Sequence, residues 1–564
     1  MKKMFILMVL LLSFFLFPSC GNVSNDFNKD LALTDTSDSG SDNESSGGGD
    51  AGDTGDESGY YSDTGNESDK GDVGNTGNTG NTGDYGDTDM SNGNTETGDD
   101  ENWEEENVVG DLVENEFIET SKEDTSTFSV DVDTASYSLV RNYLMSYNVM
   151  PPVNNIRIEE LVNYFDYNYP QPEEGKPFSV TMEMADSPWR DDANIIMFGL
   201  KGREIDPEMV PASNLVFLID TSGSMSGSNR LPLLKKAFKK LVERVSAKDS
   251  ISIVTYAGDA GVLLDSVPGD EKDKINKAID SLKASGSTAG SKGIQTAYSL
   301  AEKNYNKESN NRVILATDGD FNVGPSSDEE LVSIIEEERN KGIFLTILGF
   351  GMGNYQDEKM KKLSSAGNGN YFYIDTEKEA EKVFVFDLMG NMFTIAKDVK
   401  LQVVFNPAKI FKYRLIGYEH RVMPNKDFDD DTKDAGEIGS GHRVTAFYEV
   451  ILAKEEVSTE EGESEFGEDD YILLRMRYKE PDEDNSKYMD TLMTGESISG
   501  VMSENMGFAS SVVEFGMLLR NSKFKENSSY DAVINRAMAN IGDDLFGYRG
   551  EFLEIVEKAK KLDK

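Results

Sequence analysis

Residues 214–397 alternate between two textures, and this alternation constrains the fold more than any other feature of the chain. Four apolar runs, "LVFLID", "SISIVTYA", "RVILATD" and "IFLTILGFG", have the continuous hydrophobicity of strands buried on both faces. Between and after them lie stretches of helical periodicity at 231–245, 271–284, 291–305, 328–341 and 357–365. Strand and helix in turn predict an open, doubly wound α/β sheet. Such a sheet places its ligand site beyond the carboxyl ends of its strands.

The first run ends in "VFLIDTSGSMSG", residues 216–227. Asp220 closes the strand, and Ser222 and Ser224 follow at alternate positions. Gly223 between them lets the loop turn tightly. Asp318 ends "RVILATD", and Thr288 sits in the Gly/Ser loop "ASGSTAGSKGI" just before a helix. These are hard oxygen donors with little charge, suited to an octahedral Mg²⁺ or Mn²⁺ that keeps some water. Two hydroxyls and two carboxylates leave such an ion near neutral and short of ligands, so an incoming carboxylate can complete it. The same residue types could also cap the helix that follows the loop.

Asp220-x-Ser222-x-Ser224, Thr288 and Asp318-Gly319 together resemble the metal-ion-dependent adhesion site of von Willebrand factor type A domains. The resemblance implies a Rossmann-like A domain over 211–397. It implies that Ser222, Ser224 and Thr288 bind the metal directly, and that Asp220 and Asp318 often act through water. Beyond the A domain, "FSVDVDTASYSLVRNYL", "IRIEELVNYFDYNYPQP" and "FASSVVEFGMLLRNSKFK" are similar to the flanks of a group of bacterial secreted A-domain lipoproteins.

The N-terminus points to the same setting. Lys2 and Lys3 precede an apolar run, residues 4–17, too short for a comfortable span of about 20 residues. "FPSC" then places Ser19 before Cys20, the only cysteine of the chain. This resembles a lipoprotein signal, residues 1–19, with Cys20 lipidated. Phe17 and Pro18 depart from the usual residues of that box. Several acyl chains hold a protein firmly in a leaflet. Gly21 stands where some bacteria place an inner-membrane retention aspartate, so the expected location is the cell envelope, at the outer membrane.

Residues 20–106 are rich in Gly, Ser, Thr, Asn, Asp and Glu, with a Gly-Asn-Thr repeat that includes Gly74 to Gly83. Too few apolar side chains are present to offset the entropy of ordering, so a disordered tether is expected, with an r.m.s. span of roughly 50 Å. Over all 564 residues, 56 basic against 104 acidic side chains give a net charge of −48. That charge repels DNA, RNA and anionic lipid, which removes nucleic acid as a partner.

The flanks read as an α+β region at 107–210, a β-rich region at 398–500 and helices at 501–564. A helix is expected over 156–170, with Ile158, Leu161, Val162 and Phe165 on one face. Strand-like runs at 178–202, 399–405, 442–452 and 471–478 predict one β-sandwich built by chain on both sides of the A domain. The acidic loop 454–470 reads as exposed. "DFDDDTKD", 427–434, lacks the Gly and Glu that an EF-hand loop requires and reads as a solvated loop. His420 and His442 are the only histidines, and no nucleophile elbow or Walker loop is present, so a non-enzymatic role is expected. The expected function is a lipid-anchored module that grips a partner protein's carboxylate through its metal. The alternative is an envelope scaffold whose A domain grips nothing. Carboxylates of the tether, held at millimolar effective concentration, would compete for the metal in cis.

Overall fold

The computed structural model describes residues 112–564, apart from 207, 287–289, 320–327, 352–356, 392, 434, 455–464 and 499. The signal segment with Cys20, the acidic tether, Thr288 and most of the acidic loop 454–470 lie outside the described residues.

The chain enters through two short strands, β1 (Ile118–Glu119) and β2 (Thr125–Ser129). Two short helices follow, α1 (Ala135–Arg141) and α2 (Ile158–Val162), then strands β3 (Phe178–Asp186) and β4 (Asn194–Gly202). The helix expected over 156–170 stops at Val162. The reason lies in the aromatic run after it, whose rings find partners in different directions. Tyr164 stacks on Tyr137 with centroids 3.8 Å apart and donates to Glu379 Oε2 at 2.7 Å. Tyr167 donates to the carbonyl of Val162 at 2.9 Å, and the Tyr169 hydroxyl meets Thr445 Oγ1 at 2.8 Å. A single helix face cannot serve all three, and Pro170 disfavours helical backbone at Tyr169. Gly199 in β4 is required by the same packing, since a Cβ there would lie 2.3 Å from the Tyr169 ring.

The A domain begins with β5 (Ser213–Asp220), α3 (Leu231–Arg244), β6 (Ser250–Tyr256), β7 (Ala260–Pro268), α4 (Lys272–Ser281) and α5 (Gly290–Lys303). It continues through β8 (Asn310–Thr317), α6 (Asp328–Asn340), β9 (Ile343–Phe350), α7 (Asp357–Ala366), β10 (Tyr371–Ile374), α8 (Glu377–Lys382) and α9 (Leu388–Asn391). The strand order is β10-β9-β8-β5-β6-β7, parallel except for the edge strand β7. Every residue of β5 and β8 is buried. Alternation decides where each goes: Leu215, Phe217 and Ile219 join α3 and α4 on one face, Val216 and Leu218 join α5, α6 and α7 on the other. Strand order reverses at β5, which lies between β6 and β8, so a topological switch point opens between the ends of β5 and β8.

After the A domain come β11 (Thr394–Phe405), β12 (Ile410–Ile416), β13 (Val422–Met423), β14 (Gly436–Gly439), β15 (Arg443–Leu452), β16 (Asp470–Lys479) and β17 (Ser486–Thr494). One antiparallel sheet runs β1-β12-β15-β4-β3, a second β13-β2-β11-β16-β17, with β14 also paired to β11. The two share one core, in which Ile196, Phe198 and Leu200 of β4 meet Leu401, Val403 and Phe405 of β11. The A domain therefore interrupts a β-sandwich between β4 and β11. The outer face of the first sheet, with Ile195 and Met197, is covered by α10 (Glu504–Leu519), α11 (Tyr530–Ala539) and α12 (Tyr548–Leu562). Among the described residues no helix is long and apolar enough to cross a membrane. The loop read as solvated is engaged at several points: Phe428 is buried, Asp429 accepts from the Tyr488 hydroxyl at 3.0 Å, the Asp430 carbonyl accepts from Lys400 at 2.7 Å, and Asp431 pairs with Arg477 at 2.7 Å and accepts from Ser486 Oγ at 2.7 Å.

Arg141, at the end of α1, ties these layers together. Its guanidinium donates to Asp375 just after β10, to Glu379 on α8 at 2.8 Å, to Glu551 on α12 at 2.8 Å and to Tyr164 at 3.0 Å. Nearby, Asp133 accepts from the backbone N–H of Tyr371 at 3.1 Å, while α1 starts after Thr134 without a side-chain cap.

His442 sits in the turn between β14 and β15, where burial and the Arg443 charge hold its imidazole down at about 4. The unfolded chain takes up that proton near pH 6.5, so the folded state loses stability as pH falls below that value. Wild type should lose up to roughly 3 kcal/mol relative to His442→Gln between pH 6.5 and pH 4. Denaturant titrations of the two proteins across that window measure the difference, and parallel pH profiles would refute it.

Candidate functional site

The loop after β5 is fastened at both ends. Its head is tied to β6: Thr221 donates to the Tyr256 carbonyl through its N–H at 2.9 Å and its hydroxyl at 3.1 Å. Met225, fully buried, pins the far end into the core beneath α3. Between these anchors, residues 223–226 form a 3₁₀ turn. The loop before α5 is drawn alongside. Ser285 N–H donates to the Thr221 carbonyl at 2.7 Å, and Gly223 N–H donates to the Gly286 carbonyl at 3.0 Å. Gly286 takes a φ of 88°, which favours glycine. Thr288 follows two residues later, outside the described residues.

Four of the five residues selected from sequence fall around this one cleft. Asp220 is fully buried at the end of β5. Its Oδ1 accepts from Ser222 N–H at 2.8 Å, and its Oδ2 accepts from the Tyr256 hydroxyl at 3.2 Å and from Thr317 Oγ1 at 3.4 Å. Burial pushes its carboxyl up to about 6, against the hydrogen bonds from Ser222, and the neighbouring Asp318 adds to the rise. The Ser222 and Ser224 hydroxyl oxygens are 2.9 Å apart, Ser222 buried and Ser224 exposed. Asp318 follows β8 and is 4 % exposed. Its Oδ2 accepts from Arg230 Nη1 at 2.8 Å, and its buried Oδ1 has no hydrogen-bond partner among the described residues.

These groups fit a small divalent cation. Two oxygens on adjacent corners of an octahedron with ~2.1 Å bonds lie ~3.0 Å apart, a spacing close to that of the two serine hydroxyls, which here hydrogen-bond to each other at 2.9 Å. A buried carboxylate oxygen without a donor costs free energy, and so does a buried charge that is not fully paired. A cation relieves both at Asp318 and Asp220. Among the described residues no three His, Cys, Asp or Glu side chains gather to hold a metal.

Sequence reasoning missed three participants. Tyr256 closes β6 and donates to Asp220. Arg230 reaches back from the start of α3 to Asp318 and to the Ser224 carbonyl. Gly351 lies under the Arg230 side chain. The available signals were an arginine at the junction of a Gly/Ser loop with an apolar helix, and a glycine just past a buried strand.

Comparison with known proteins accords with the fold of residues 214–385. The von Willebrand factor type A domain family matches residues 214–385. A von Willebrand factor family matches 104–197, and the family described as uncharacterized protein YfbK, C-terminal, matches 390–562. Uncharacterized protein YfbK of Escherichia coli K12 is 39 % identical over 449 residues, covering 77 % of this chain and 78 % of its own. Inter alpha-trypsin inhibitor, heavy chain 4, of Mus musculus is 28 % identical over 182 residues, 30 % of this chain and 19 % of that one. Among solved structures, a von Willebrand factor type A protein from Catenulispora acidiphila is similar over 68 % of this chain and 91 % of its own, at 14 % identity and a TM-score of 0.37. An A domain marks the chain as a protein-interaction module. The chain carries a von Willebrand factor type A domain within YfbK-like flanks and belongs to the family of Escherichia coli YfbK.

Proposed function

We propose that the chain is an extracytoplasmic, lipid-anchored binding module whose A domain grips a carboxylate of a partner protein through one Mg²⁺ or Mn²⁺. Ser222, Ser224, Thr288, Asp220 and Asp318 are the residues that would hold the ion. When bound, the ion supplies an open coordination position of high positive charge for the incoming carboxylate. The protein's part is positioning. Tyr256 and Ser222 N–H orient Asp220, and Met225 and the Thr221 bonds fix the loop that carries both serines.

One observation carries this reading: at the switch point, Asp220, Ser222, Ser224 and an incompletely satisfied Asp318 converge from two strand ends. Lipidation of Cys20, placement at the outer membrane and competition by the tether's carboxylates rest on the sequence alone. The domain limits 1–19, 20–106, 107–210, 211–397, 398–500 and 501–564 remain part of the proposal.

The Arg230–Asp318 pair favours a second reading, since it partly balances the cleft without any metal. The A domain would then be an envelope scaffold. Capture of envelope proteins by the immobilised chain separates the two. The binding reading expects capture that EDTA abolishes and that Asp220→Ala lacks. The scaffold reading expects capture indifferent to both, with EDTA at most lowering the melting temperature.

A further inference from the structure

We propose that Arg230 is the resting counter-ion of this cleft, and that a divalent cation must displace it from Asp318 in order to bind. The inference rests on the metal-site reading and names how that site is regulated.

A single guanidinium nitrogen bridges the two loops. Arg230 Nη1 donates to Asp318 Oδ2 at 2.8 Å and to the Ser224 carbonyl at 2.6 Å. It thereby joins the loop after β5 to the loop after β8 and occupies an oxygen that a metal would need nearby. The pose is built into the fold. A Cβ on Gly351, just past β9, would fall 2.2 Å from Arg230 Nε and 2.7 Å from its Cγ. Gly351 has a φ of 73°, and its carbonyl is held by the Tyr373 hydroxyl at 2.5 Å. Only glycine lets the arginine stem lie on this backbone.

The pairing is also incomplete. Arg230 leaves Oδ1 of Asp318 without a donor among the described residues, although that atom is buried. One positive charge faces the two carboxylates of Asp220 and Asp318. Adding a divalent cation with Arg230 in place would set three positive charges against those two negative ones within a few ångströms. The Arg230 side chain is 20 % exposed and Asp318 only 3 %, so water screens the repulsion poorly on the Asp318 side. The guanidinium and the metal should therefore hold Asp318 alternately. Apparent metal affinity is then reduced by the fraction of molecules in which Arg230 has let go.

Calorimetric titration of Mn²⁺ alone into the full chain, into Arg230→Met and into Arg230→Lys tests this. Methionine keeps an unbranched stem for the Gly351 niche and removes the charge. Arg230→Met should bind Mn²⁺ roughly tenfold tighter than wild type or better, whereas Arg230→Lys should stay close to wild type. Heat in Arg230→Met with none in wild type would also support the inference. Equal or weaker binding by Arg230→Met would make Arg230 a strut of the loop and overturn the inference, leaving the metal site standing. No binding by wild type or either variant would overturn both. Should Arg230→Met fail to fold, Arg230→Gln carries the same expectation.

Discussion

Arg141→Met is expected to destabilise the folded chain by about 3–5 kcal/mol, the range for removing one partner of a buried ion pair. The Arg141 side chain is 4 % exposed, and its partners Asp375 and Glu379 are 3 % and 2 % exposed. Burial raises the Asp375 carboxyl above its ordinary range even with Arg141 beside it. Without the guanidinium, Asp375, Glu379 and the less buried Glu551 would face one another around a methionine, and Tyr164 would lose a donor. The partners belong to different layers: Asp375 and Glu379 to the A domain, Glu551 to the C-terminal helices. The denaturant midpoint should fall, and the A domain should begin to unfold separately from the sandwich. Arg141→Lys should recover only part of the loss, because one ammonium cannot reproduce the planar fork that serves several acceptors. An unchanged midpoint in Arg141→Met would contradict this account.

The second large effect is expected at the ion site. Asp220→Ala should weaken Mg²⁺ and Mn²⁺ binding by on the order of 100-fold, the upper range for losing a group that orients or supports a metal's ligands. The same change should not unfold the domain. The folded-state pKa of Asp220 is raised to about 6, so its ionised form costs stability as pH rises through that value. Alanine removes that cost but takes an acceptor from the Tyr256 hydroxyl and the Ser222 N–H. A melting curve of the variant beside the titration separates loss of binding from loss of structure.

Much of the A domain was legible in sequence for a simple reason. Strands β5, β6, β8 and β9 are buried in a parallel sheet and read as unbroken apolar runs, and α3 to α7 each carry one apolar face. β12, mostly buried, escaped notice because Lys412 and Arg414 break its apolar run; three other missed strands carry weaker signals. β7 is a half-exposed antiparallel edge, and β10 has only four residues. β17 is an edge strand that is only partly buried, with Tyr488 and Leu492 open to solvent. Chain on both sides of the A domain was visible as sandwich strands at β3, β4, β11, β15 and β16, where apolar and polar residues alternate or the core is continuous. The helix expected over 156–170 failed because its tyrosines serve separate tertiary partners.

The site divided along the same line. Asp220, Ser222, Ser224 and Asp318 lie at strand ends, where topology alone directs ligand chemistry. Arg230 could not be placed from its position in sequence, because its role depends on a chain reversal and on the bare backbone of Gly351 more than a hundred residues away. That arginine turns an anionic cleft into a contest between an internal cation and an external one.

The central claim is that these oxygens form a divalent-cation site. Calorimetric titration of Mg²⁺ and Mn²⁺ into the full chain, beside Asp220→Ala, tests it most directly. The account predicts a saturable heat for at least one of the two metals in wild type that is absent from Asp220→Ala, with both proteins folded. The same heat in wild type and Asp220→Ala, or none in wild type and none in Arg230→Met, would contradict it.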